Sequence, residues 1–138
     1  MPEIAVDTGP LVALFDRSER QHGAAVAFLQ RTPGPFVTNI AVLTEVTALL
    51  DFSDSLPAEF LFWANKALVV DSGTDKDLPR IAAIMRKYND LPADLADASL
   101  LALCERRKIK DIATLDKHFD VYRTAKRRAL TNVFFDQT

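Results

Sequence analysis

Four acidic side chains stand where an acid needs a reason: Asp7, Glu45, Asp97 and Asp116. Asp7 closes the strand-like run EIAVD (3–7), and Asp116 closes KDIATLD (110–116). Glu45 interrupts IAVLTEVTALLDF (40–52), where helical spacing aligns it with Val42, Ala48 and Leu49. Asp97, within LADASLLALC, aligns with Leu101 and Cys104 on a stripe that should face a core. Taken singly, each has a plain explanation. A strand-ending Asp serves turns and caps, and a helical acid can snorkel or pair with a cation. Together, with no matching interior Lys or Arg nearby, four carboxylates would repel one another, so something positive must offset them. Hard divalent cations take oxygen ligands of this kind. Mg²⁺ or Mn²⁺ therefore fits better than Zn²⁺, which would want His or Cys. Such an ion activates water and stabilises charge on phosphoryl and leaving oxygens. Asp94, three residues before Asp97, is simpler: an acid at a helix start caps it.

The elements that must position these acids alternate. Strand-like segments fall at 3–7, 67–71, 110–116 and 129–135, and PGPFVTN (33–39) marks a turn, a short strand and a helix entry. Helix-like segments follow Thr8, with Pro10 in the first turn, and fall at 19–31, 40–52, 57–66, 74–88 and 93–107; a short helix follows Asp116. Alternation of this kind implies an α/β fold: a mostly parallel central sheet with helices on both faces, in three α/β/α layers. With no repeat and no long linker, residues 1–138 read as a single domain. Ligands of open parallel sheets collect beyond the carboxyl ends of the strands, where strand order switches. Asp7 and Asp116 sit at such ends, and Glu45 and Asp97 can reach the same place from helices that follow strands.

The balance of 49% hydrophobic and 26% charged residues is globular. One cysteine, Cys104, excludes an intrachain disulfide and a thiolate metal cluster, which suits a reducing cytosol. MPEIAVDTG has no secretory character, and no apolar run approaches the roughly 18–20 residues of a membrane span. The net charge of −2 argues against bulk attraction to nucleic acid, but the charge is uneven. Residues 1–103 carry 8 Lys and Arg against 14 acids, whereas residues 104–128 carry 9 against 4. A basic segment on an acidic body permits anionic partners; a solvated helix face is the plainer alternative. His22 and His118 lie in polar contexts and read as surface residues, so no Ser–His or Cys–His pair competes with the acids.

The combination IAVDTGPLVAL, VTNIAVLTEVTALL and LPADLADASLLALCERRKIKDIATLDKHF resembles the PIN-domain ribonucleases, and within them the VapC-type toxins of toxin–antitoxin pairs. The resemblance covers nearly the whole chain. It implies a metal-dependent endoribonuclease whose catalytic, metal-holding acids match Asp7, Glu45, Asp97 and Asp116, with Asp94 and Thr8 as accessories. It also implies an RNA substrate, an antitoxin that covers the site, and a homodimer. A housekeeping RNA-processing nuclease and a non-catalytic binding module on the same fold are the alternatives. A haloacid-dehalogenase-type phosphohydrolase would need a second Asp where Gly9 stands. The basic segment supplies candidate RNA contacts at Arg106, Arg107, Lys110, Lys126, Arg127 and Arg128. For Arg106, Arg107 and Lys110, favourable charge at a helix C-terminus is the structural alternative. Leu14, Phe15, Phe28, Phe60, Phe62 and Trp63 are either core or a groove for an amphipathic partner helix.

Overall fold

The computed structural model describes residues 2–91 and 93–135. Five strands, β1 (Ile4–Val6), β2 (Phe36–Asn39), β3 (Leu68–Asp71), β4 (Asp111–Ala113) and β5 (Thr131–Asn132), form one sheet in the order β3-β2-β1-β4-β5. All neighbours are parallel, with Ile4 opposite both Phe36 and Asp111. The connections carry α1 (Thr8–Phe15) and α2 (His22–Arg31), α3 (Ile40–Leu49) and α4 (Leu56–Ala67), then α5 (Leu78–Lys87) and α6 (Leu95–Arg107). From β1 to β3 the chain steps one way; from β3 it returns past β1 to place β4 on the far side. Right-handed crossovers running in opposite directions put their helices on opposite faces, which yields the three-layer α/β/α arrangement. The reversal of strand order lies between β1 and β4, so the crevice of such a sheet opens at their carboxyl ends.

Two strands are shorter than their sequences suggest, because side chains capture backbone groups that a ladder would use. Beyond Ala113, the Thr114 hydroxyl accepts the Asp116 N–H (2.9 Å) and the Asp116 carboxylate accepts the His118 N–H (2.9 Å). Asp116 therefore heads a 3-10 turn (Lys117–Asp120) instead of ending a strand. Likewise Asn132 Oδ1 accepts the N–H groups of Thr114 (3.3 Å) and Phe134 (3.1 Å), and β5 stops after two residues. At the first strand, Asp7 and not Thr8 occupies the N-cap position of α1.

Helix α6 explains why an acid could lie in line with Leu101 and Cys104. Every residue from Ala96 to Cys104 is buried, so the helix is enclosed on all sides and has no single inward stripe. The stripe assigned to Glu45 is also corrected. Val42, Leu43, Val46 and Leu50 form the inner face of α3, whereas Ala48 and Leu49 are exposed and Glu45 is half-buried at the border. Among the described residues, no helix is long and apolar enough to cross a membrane.

The far end of α6 is fastened by ion pairs. Arg106 donates to Asp71 (2.6 Å) and Asp77 (3.0 Å), and Arg107 donates to Glu3 and Asp71. These contacts support the structural alternative for both arginines: their guanidinium groups are paired with three carboxylates of the same chain. Arg106 holds the Asp71 carboxyl down at about 2, so its contribution to stability is complete above pH 4 and is lost as pH falls toward 2. Arg106→Ala should cost about 1–3 kcal/mol at pH 7, a figure limited by the partial exposure of the guanidinium. Urea unfolding at pH 7 and again near pH 2.5 checks this: the deficit should shrink in acid.

Candidate metal centre

Asp7, Asp97 and Asp116 each place a carboxylate oxygen within 4.8 Å of the others. Asp7 arrives from the end of β1, Asp116 from the turn after β4, and Asp97 from the first turn of α6, so the three meet at the topological switch. Asp94 caps α6 as its sequence position suggests, its carboxylate accepting the Asp97 N–H at 2.9 Å. That bond sets where the helix begins, and hence where the Asp97 side chain projects.

The electrostatics follow from burial and crowding. Burial pushes the Asp7 carboxyl up to about 6, against the opposing effect of a 2.7 Å hydrogen bond donated by Thr114 Oγ1 to Oδ2. Burial pushes Asp97 further, to about 8, with the negative charges of Asp7, Asp94 and Asp116 adding to it. Glu45 is also raised, first by burial and then by Asp94 and Asp7, while the Thr8 hydroxyl acts in the opposite direction. Glu45 thus feels the cluster and flanks it, but it is not one of the three mutually close carboxylates.

A divalent cation fits this set. The second oxygen of Asp7 and the Tyr122 hydroxyl are buried without a hydrogen-bond partner among the described residues. Buried oxygens that lack donors are costly unless something positive meets them, and a hard cation does so. Asp7, Asp97 and Asp116 would hold it, with Glu45, Asp94 and Thr8 around them. The histidines stay outside: His22 Nδ1 bonds the Ala13 carbonyl (2.8 Å), and half-exposed His118 approaches Asp116 only at 3.4 Å.

Four residues at or behind the site went unrecognised in the sequence. Thr114 positions Asp7 and, through its hydroxyl, the backbone of Asp116. Asn39 caps α3 by accepting the Val42 N–H (3.0 Å) and donates to Ser99 Oγ (3.0 Å), which ties the helix of Glu45 to the helix of Asp97. An Asn directly before an apolar helix is a cap signature that could have flagged it. Tyr122 packs edge-on against Tyr88 and Phe119, and its phenol is raised by burial and then by the surrounding acids. Nothing in the local pattern distinguishes Thr114, Ser99 or Tyr122.

The other candidate contacts scatter. Lys110, Lys126 and Arg128 line a separate cleft near the C-terminal end of α6, and Arg127 is exposed next to it. Among the six residues read as core or partner groove, Phe28 and Phe60 are buried, and Leu14, Phe15 and Trp63 are partly buried against the core. Phe15 makes edge contacts with Phe60 and Trp63, both at 5.3 Å between ring centres. Only Phe62 stands out in solvent, 75% exposed. The apolar surface of this region comprises Leu49, Phe52, Leu61 and Phe62, on the end of α3, the turn that follows it, and α4.

Comparison with known proteins agrees with this geometry. A family model described as PIN domain matches residues 4–136. The Mycobacterium tuberculosis protein named ribonuclease VapC26 is 28% identical over 122 residues, spanning 86% of this chain and 90% of the relative. Among solved structures, M. tuberculosis VapC20, described as a sarcin–ricin loop cleaving toxin, superposes with a TM-score of 0.72. It shares 19% identity and is covered over 94% of its length, with 86% of this chain matched; at that identity the likeness speaks for the fold.

Proposed function

The chain belongs to the PIN-domain family and is a nuclease, and from that premise we propose that it is a Mg²⁺- or Mn²⁺-dependent endoribonuclease, the toxin of a toxin–antitoxin pair. The observation that carries the reading is the meeting of Asp7, Asp97 and Asp116 at the switch point, with an unpartnered oxygen of Asp7 inside it. A bound divalent cation supplies charge stabilisation on the scissile phosphoryl group and an acidified water. The protein's own work is to hold the three carboxylates in place, through Thr114 on Asp7, the Asp94 cap beneath Asp97, and the turn at Asp116. Glu45, whose carboxyl is raised by burial and by the charges of Asp94 and Asp7, is the candidate fourth acid of this set.

Purified protein incubated with labelled single-stranded RNA should cleave it in Mg²⁺ or Mn²⁺, stop in chelator, and resume when metal is restored. RNA left intact under every metal condition would overturn the nuclease reading. The toxin assignment draws on the named relative and on the apolar surface at Leu49, Phe52, Leu61 and Phe62, which suits a protein partner in the cytosol: an antitoxin, a second copy, or both. Co-expression with a small neighbouring reading frame should yield a stable complex without nuclease activity. A fully active chain that is harmless to its host would instead favour RNA processing.

A further inference from the structure

The cleft at the far end of α6 has a construction of its own. It encloses about 440 Å³ between the last turn of α6, the start of β4 and the segment 124–131. Lys108, Lys110, Lys126 and Arg128 line it, and none of the four forms an ion pair with a described residue. Among the described residues the one acid in its wall, Glu105, is already neutralised by a bidentate pair with Arg80 (2.8 Å on each arm), and it also accepts the Ala125 N–H (2.9 Å). The floor is apolar, with Ile109 and Leu130 both buried.

The backbone carries a second mark. Among the described residues, only Lys108 (φ 59°) and Arg127 (φ 61°) are non-glycine residues in the left-handed region, and one lines this cleft while the other adjoins it. Lys108 ends α6 where glycine is the usual choice, with the Ile109 N–H returning to the Cys104 carbonyl at 2.9 Å. Both strained positions are filled by cations. Strain retained by charged side chains beside a cleft of unpaired cations is a reason to look for an anion.

We infer that this cleft is a phosphate-binding exosite that grips the RNA backbone away from the point of scission. Asp97 and Lys108 lie at opposite ends of α6, eleven residues and about 16 Å apart along the axis, so one phosphate cannot serve both places. Among the described residues no aromatic side chain lines the cleft, so base stacking gives it no sequence preference and the phosphates are the determinant. The inference rests on the chain acting on RNA, and it counts Lys108 among the backbone contacts.

The test is fluorescence anisotropy in chelator, where cleavage does not interfere, with a labelled single-stranded RNA long enough to reach from the carboxylates to the cleft. Lys126→Glu with Arg128→Glu should weaken binding at least about tenfold and reduce the salt slope by about 1.4. Cleavage of a substrate too short to reach the cleft should proceed at the wild-type rate. Lys108→Gly controls for misfolding: it should raise the melting temperature by relieving the left-handed strain, yet weaken RNA binding several-fold. Unchanged affinity and salt slope in the double variant would overturn the exosite. So would saturation of the cleft by ATP without competition from the RNA, which would make a free nucleotide the occupant. Loss of binding in the variants with no cleavage by the wild type would support the exosite while overturning the nuclease reading, so the two can fail separately.

Discussion

Asp97→Asn should all but remove RNA cleavage and, in chelator at neutral pH, should make the protein more stable. The two effects have one cause. In the folded state the Asp97 carboxyl is raised to about 8 by burial and by three neighbouring acids, whereas in the unfolded chain it ionises near its ordinary value of 3.8. At pH 7 folding must therefore either retain a proton or bury a charge among like charges, a cost of roughly 2–4 kcal/mol. Asparagine has nearly the same shape and carries no such cost, so the melting temperature should rise by several degrees. Activity moves the other way. Without the Asp97 charge the three-carboxylate site loses a member, and the several kcal/mol of charge stabilisation expected from a held cation correspond to a loss on the order of 1,000-fold. A metal-supplemented RNA assay beside thermal unfolding in EDTA reads both. Wild-type cleavage by the variant would remove Asp97 from the site.

Metal should remove the loss of stability between pH 4 and pH 8. Asp7 is raised to about 6 and Asp97 to about 8, and Glu45 is raised as well, so between pH 4 and pH 8 the metal-free folded state holds protons that the unfolded chain has released. Their contribution is therefore present below pH 4 and lost as pH rises through 6 and then 8, by up to about 1.4 kcal/mol per pH unit for each proton retained. Asp71, depressed to about 2, works in the opposite direction and only in acid. In chelator, stability should peak near pH 4 and decline toward pH 8. Saturating Mg²⁺ should abolish the decline, because a bound cation favours the ionised carboxylates and binds only the assembled site. Chemical denaturation at pH 5 and pH 8, with and without Mg²⁺, is the measurement. A decline of equal steepness in both conditions would mean that these acids do not hold the metal.

The sequence alone determined the layer architecture, because strand and helix periods and cap residues are local features that survive without knowledge of contacts. It also marked Asp7, Asp97 and Asp116, since an acid at the end of an apolar run or inside a buried helix conflicts with its surroundings, and that conflict is visible in one dimension. Asp94 was legible for the same kind of reason: a cap acts on a backbone group three residues away. Tertiary structure decided what depends on partners distant along the chain. Arg106 and Arg107 look like free cations until Asp71, Asp77 and Glu3 are brought to them, 29 to 104 residues away in sequence. Thr114 is unremarkable until its hydroxyl meets Asp7 across 107 residues. Glu45 shares the polarity and apolar context of Asp97, yet α3 keeps one face in solvent while α6 is enclosed, and so only Asp97 joins the three close carboxylates. Burial is a property of the assembled layers. Helical spacing can state which residues share a face, but only packing decides how many faces are covered.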